Sequence, residues 1–176
     1  NVHWCDQIDE VLASDVDVVI ELIGGLEPAT TWIRKALDSG KSVVTANKQV
    51  IARSGSSLLE LSRQCRQRLC FEAAVAGGIP VIRGLEEGLA GDRLFRIQGI
   101  LNGTCNYILT RMEHDQIPFA NALKEAQNLG YAEADPTSDV DGLDAQAKLV
   151  ILSAIGLRSQ IDVDDVPLQT ITTIEP

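Results

Sequence analysis

Short, mostly apolar runs alternate along this chain with longer stretches in which apolar residues return every three or four positions. Residues 17–23, Asp-Val-Val-Ile-Glu-Leu-Ile, form one such run and end in Gly24-Gly25, the pattern of a buried parallel strand entering a tight loop. Helical spacing follows over 28–37, with Pro28 suited to a first turn and Gly40 as the stop. Ser42-Val43-Val44-Thr45 reads as a second strand, 54–64 as a second helix and 69–72 as a third strand. Such alternation predicts a right-handed parallel α/β sheet. The rhythm changes after Gly77-Gly78-Ile79-Pro80. A helix over 80–87, a β-rich run over 94–101 and helices over 106–114 and 119–128 predict an α+β region. A boundary near Gly78 divides the chain into residues 1–78 and 79–176.

Composition narrows the class without naming it. The 176 residues are 45% hydrophobic and 23% charged, which suits a globular chain of one domain or parts of two. A net charge of −10 argues against nucleic acid or an anionic membrane surface as the main partner. No apolar run approaches the length of a membrane span, and no signal-peptide pattern opens the sequence. Cys5, Cys65, Cys70 and Cys105 have neither Cys-x-x-Cys spacing nor zinc-ligand spacing with His3 or His114, so reduced thiols in a cytoplasmic protein are expected. Asn1 is not an initiator Met and Pro176 follows a strand-like run, so the chain reads as a piece of a longer one.

The chemistry concentrates between Gly130 and Lys148. Five carboxylates (Glu133, Asp135, Asp139, Asp141, Asp144) surround Pro136 and Gly142, and an apolar helical pattern carrying Lys148 follows. Asp144 and Lys148 stand four apart and share a helix face. A lysine held between acids and an apolar wall can have its proton affinity tuned for proton transfer. Read alone, the same residues are more simply an acidic loop at a helix N-terminus with one surface ion pair.

Other groups are as open. Thr45-Ala46-Asn47-Lys48 lies at a strand's carboxyl end, where open α/β sheets bind ligands, although Asn47 could cap a helix and Lys48 be solvated. Glu72 and the loop to Pro80 could hold a hard cation or serve as an interdomain hinge. Asn102-Gly103-Thr104 reads as a turn with a cap at Thr104. Gly40-Lys41-Ser42 imitates a P-loop, but residue 35 is Lys. Asp139-x-Asp141-Gly142 imitates an EF-hand whose twelfth position is Lys148 in place of Glu.

Ala126, Gly130-Tyr131, Asp135-Pro136, Asp139, Gly142, Asp144 and Lys148 resemble, in order and spacing, the signature of homoserine dehydrogenases, nine positions over 23 residues. The resemblance extends from about Val16 to Glu175 and favours the monofunctional type. It implies a partial Rossmann-like parallel sheet followed by an α+β substrate and catalytic domain, without the glycine-rich dinucleotide fingerprint. It also implies NAD(P) as cofactor, L-homoserine and L-aspartate 4-semialdehyde as substrates, and a homodimer or higher homo-oligomer. Carried over residue by residue, Lys148 is the acid/base group and Lys48 orients the reacting oxygen near the cofactor. Glu133, helped by Tyr131, holds the substrate ammonium; Asp139 and Asp144 position substrate and lysine, and Thr104 lines the site. Gly24 and Gly25 let the cofactor approach the backbone. Glu72, Val75, Gly77 and Ile79 hold a monovalent cation, usually sodium. A rival reading is a non-catalytic binding or assembly module, with the acidic loop solvated and the β-rich run a dimer interface.

Overall fold

In the computed structural model, which describes residues 2–176, a short helix α1 (Ile8–Ala13) precedes the first strand, β1 (Val18–Glu21). The hydrophobic pattern had not marked α1, and none of its residues is buried. Helix α2 (Ala29–Asp38), strand β2 (Ser42–Thr45), helix α3 (Lys48–Gln64) and strand β3 (Leu69–Cys70) follow. The strands pair in parallel in the order β1-β2-β3, with Val18 opposite Ser42 and Val43 opposite Leu69. This is the predicted parallel α/β sheet.

Helix α2 buries Ala29, Ile33, Ala36 and Leu37, one stripe at helical spacing, against the sheet. Helix α3 buries Val50, Ile51 and Leu58 in the same core. It begins six residues earlier than its apolar spacing indicated. The cause is Asn47, whose side-chain oxygen accepts the Val50 N–H at 3.2 Å and starts the helix at Lys48. Among the described residues one face of β1 and the residue just beyond it are uncovered: Val18, Ile20 and Leu22 are 49%, 65% and 71% exposed.

Beyond the sheet the chain is helical. Helix α4 (Val81–Arg83) runs into a π-helical turn, Gly84–Gly88, close to the predicted 80–87. Helices α5 (Gly103–Asp115), α6 (Phe119–Asn128), α7 (Thr137–Val140) and α8 (Leu143–Gly156) follow. Ile108, Met112, Ala122, Ala126, Ala132 and Val140 form a second core beneath α5, α6 and α7. Ile151 and Leu152 of α8 instead join the first core, so α8 docks on α3. That docking brings the start of α8 to the start of α3.

The predicted β-rich run 94–101 forms no strand among the described residues. It crosses the end of α8, where a Cβ on Gly156 would meet Ile97 Cδ1 at 2.6 Å. Ile97 and Leu101 turn to the core while Phe95 and Ile100 face solvent. Burial thus returns every three or four residues and not every second one, and a helix takes the place of the neighbouring strand that a ladder needs. The strand-like run before Pro176 is likewise turn and coil. It folds back on the helices, with Gln146 Nε2 donating to the Val163 and Val166 carbonyls and the Ile171 N–H to Val140 O at 3.0 Å.

Candidate active site

Asp144, only 4% exposed, is the centre of the site. It lies in the first turn of α8, which follows Gly142; a φ of +85° there favours glycine. Lys148, one turn later, donates to Asp144 Oδ2 at 2.7 Å and to the Leu101 carbonyl at 2.9 Å. Lys48, on the first turn of α3, reaches Asp144 Oδ1 at 3.0 Å. Asn102 Nδ2 donates to Asp144 Oδ2 at 2.9 Å and to Asp139 Oδ1 at 2.6 Å. Burial alone would raise the Asp144 carboxyl, but hydrogen bonds from Lys148, Asn102 and Lys48 outweigh it and hold the group below its ordinary value. Asp144 is thus a carboxylate shared by two ammonium groups.

An open cleft of about 530 Å³ lies over this cluster. Asn102, Gly103, Thr104, Tyr107, Gly130, Tyr131, Asp139, Asp144 and Lys148 line it. Thr104 Oγ1 donates to the Tyr131 carbonyl at 2.7 Å and fastens α5 to the loop after α6. The rings of Tyr107 and Tyr131 lie 4.9 Å apart, centre to centre, and make an apolar wall. The helix cap expected at Thr104 belongs instead to Asn102, whose Oδ1 accepts the Cys105 N–H at 2.8 Å. The Cys105 thiol beside it, 3.1 Å from the Asp139 carbonyl, is pushed up to about 11 by burial and by the charges of Asp139 and Asp144. It is therefore a thiol and not a nucleophile at neutral pH. Glu133 stands exposed on the same loop but does not line the cleft, and its backbone carbonyl accepts from Gln127.

The carboxyl ends of β1 and β2 build the adjoining surface. Glu21, 5% exposed, accepts the Ile23 and Gly24 N–H groups at 2.9 and 3.3 Å and the Thr45 hydroxyl at 2.5 Å. Asn47 ties the two loops together, donating from Nδ2 to the Gly25 carbonyl at 2.7 Å. It is thus both the predicted cap and part of the site. Gly24 and Gly25 have φ of +75° and +72°, and a Cβ on Gly24 would meet nothing within 4 Å. That open backbone, flanked by exposed Leu22 and Ile23, fits the close approach of a dinucleotide. Sequence reasoning had missed Glu21 and Tyr107, and had placed Asn102 in a turn whose site contact was assigned to Thr104. For Glu21, an acid inside an otherwise apolar strand was the available signal.

Glu72 opens a 3-10 turn, and its carboxylate accepts the Ile82 and Arg83 N–H groups at 2.9 and 3.0 Å, holding the start of α4. Among the described residues no N–H donates to the carbonyls of Val75 or Gly77, whereas Ile79 O accepts from Val81 N at 2.8 Å. One carboxylate beside backbone carbonyls is a donor set that suits a hard cation. Donor atoms of His3, Cys5 and Glu10 also lie within 4.8 Å of one another, but on a surface segment and one ligand short of a closed zinc site.

A parallel sheet with an open glycine loop at its carboxyl edge, joined to a helical region whose acid cleft is reached by two lysines, defines the class by fold: a partial Rossmann-like α/β protein. A family model for homoserine dehydrogenase matches residues 80–176, and one for the NAD binding domain of homoserine dehydrogenase matches residues 1–72. The chain is 51% identical over 169 residues to a homoserine dehydrogenase of Bacillus subtilis, covering 96% of this chain and 38% of that protein. It is 49% identical over 172 residues to one of Mycobacterium tuberculosis, covering 97% and 39%. The crystal structure of a homoserine dehydrogenase from Thiobacillus denitrificans superposes with a TM-score of 0.90 at 45% identity, over 97% of this chain and 39% of that one. A hyperthermophilic archaeal homoserine dehydrogenase in complex with NADPH superposes at 0.81 with 29% identity, over 95% and 54%. The chain belongs to the homoserine dehydrogenase family. It spans under two fifths of the length of these two bacterial relatives.

Proposed function

We propose that the full-length protein is an NAD(P)-dependent homoserine dehydrogenase, interconverting L-homoserine and L-aspartate 4-semialdehyde. The observation that carries this reading is the convergence of Lys48 and Lys148 on buried Asp144 beneath an open cleft. When bound, the nicotinamide accepts or supplies the hydride. The chain's own residues manage the proton and the pose. Lys148 holds or moves the proton at the substrate's terminal oxygen, and Lys48 orients that oxygen beside the glycine loop of Gly24 and Gly25. Asp144 fixes both lysines, and Asp139 completes an acidic pocket suited to an ammonium. Thr104 acts by anchoring the Tyr131 backbone. On this reading residues 1–78 belong to the nucleotide-binding domain and 79–176 to the substrate domain. Homoserine-dependent reduction of NAD(P) by the full-length protein is the direct test, and its absence would leave the non-catalytic module as the better reading.

Glu133 is assigned the substrate ammonium, with Tyr131 beside it. Glu133→Gln removes a charge-assisted hydrogen bond, so kcat/KM for homoserine should fall roughly ten- to a hundredfold while the KM for NAD(P) holds. A raised cofactor KM with normal homoserine kinetics would move that role elsewhere.

The loop Glu72, Val75, Gly77 and Ile79 is assigned a sodium ion, supported by its carboxylate and the unengaged carbonyls of Val75 and Gly77. Exchanging sodium for choline should lower the activity of the full-length enzyme, and Glu72→Gln should blunt that difference. Equal rates in both salts would remove the cation from this reading. Exposed Phe95 and Ile100 suit burial against a second copy, which supports a homodimer or higher oligomer. The charge of −10 disfavours nucleic acid, and no helix among the described residues is long and apolar enough to cross a membrane. A cytoplasmic place in threonine, methionine and isoleucine biosynthesis completes the proposal.

A further inference from the structure

We infer that Asn102 is a positioning residue of the site, clamping Asp139 to Asp144 so that Asp144 stays aligned between the two lysines. The inference rests on the reading above and deepens it.

Every polar atom of the Asn102 side chain is committed. Oδ1 accepts the Cys105 N–H at 2.8 Å and caps α5, while Nδ2 donates to Asp139 at 2.6 Å and to Asp144 at 2.9 Å. These partners also fix which way the amide faces, because an N–H requires the oxygen and two carboxylates require the nitrogen. Asn102 is 8% exposed, so it has little freedom to take another pose. Its neighbour Leu101 gives its carbonyl to Lys148 at 2.9 Å. Two consecutive residues therefore hold Lys148, Asp144 and Asp139 and also start the helix that forms one wall of the cleft.

A neutral donor is what this place needs. The two carboxylate oxygens lie no further apart than the two hydrogen bonds that join them through one nitrogen. Like charges so close repel one another. An amide satisfies both while adding no charge. The charged and titratable groups facing it are Asp139 from α7, Asp144 and Lys148 from α8, Lys48 from α3 and the Cys105 thiol of α5. Replacing the amide with a group that only accepts would leave Asp139 and Asp144 to repel one another, and Asp144 would shift against Lys148.

Asn102→Asp and Asn102→Ser separate this role from capping, since both residues are good N-caps. In the full-length protein, Asn102→Ser should lower kcat roughly ten- to a hundredfold, the scale of a lost hydrogen bond to a charged group. The KM for NAD(P) and the Tm should hold. Asn102→Asp adds a third carboxylate and should in addition move the acid limb of the kcat/KM pH profile upward by about one unit. A wild-type kcat in Asn102→Ser would overturn the inference. So would losses that only track the folded fraction together with an unmoved pH profile, because those describe a structural cap. Failure of the parent reading looks different: the unmutated protein itself would show no homoserine-dependent activity.

Discussion

Lys148→Arg in the full-length protein is expected to lose most of kcat, about 10²–10⁴-fold, with the affinity for NAD(P) little changed. The Lys148 ammonium has three donors, of which two are spent on Asp144 Oδ2 and the Leu101 carbonyl. One is left for the cleft that Lys148 lines. Arginine keeps the positive charge, and its fork can still reach Asp144. It cannot give up a proton near neutral pH, and its planar head does not reproduce the three-way geometry of an ammonium. Stopped-flow or steady-state measurement of homoserine oxidation, with cofactor binding followed separately by fluorescence, decides the matter. A near-normal kcat would reduce Lys148 to an electrostatic role and move proton transfer to Lys48 or a water.

How far the sequence revealed this site depends on the distance over which each contact acts. Asp144 and Lys148 are four apart on one helix, and their 2.7 Å contact follows from helical geometry alone. β1, α2 and β2 were also legible, because apolar runs and helical spacing are local signals. The arrival of Lys48 at Asp144 was not. It depends on α3 docking on α8, a packing of elements far apart in the chain, and only the family resemblance pointed to it. Asn102 was read as part of a turn because its local chemistry is that of a turn or cap, which it does perform. Its bonds to Asp139 and Asp144 are tertiary and have no local pattern. The run 94–101 failed for the opposite reason. Its β-favouring residues were a local signal, but residue type does not say whether a helix or a strand lies alongside.

The site also makes its central carboxylate a determinant of stability. Asp144→Asn keeps the shape of the side chain but sets an amide between two ammonium groups and removes their shared counter-charge. Breaking a buried ion pair by removing one partner costs about 3–5 kcal/mol. Lys48 and Lys148 keep 35% and 20% of their side-chain surface in solvent, so water offsets part of that and about 1–3 kcal/mol is expected. The urea midpoint at pH 7 should fall accordingly, and kcat should drop about a hundredfold as both lysines lose their alignment. The pH dependence has a definite sign. The Asp144 carboxyl is lowered in the folded protein from its ordinary 3.8, so its contribution is full above that value and is lost as pH falls through the lower folded one. The stability gap between the unmutated protein and Asp144→Asn should therefore be constant from neutral pH down to about pH 5, and should narrow below pH 3.8. A gap that stayed constant through that acid range would mean that Asp144 contributes shape and not charge. A gap that narrowed with kcat unaffected would keep the ion pairs as a structural anchor and take Asp144 out of the catalytic alignment.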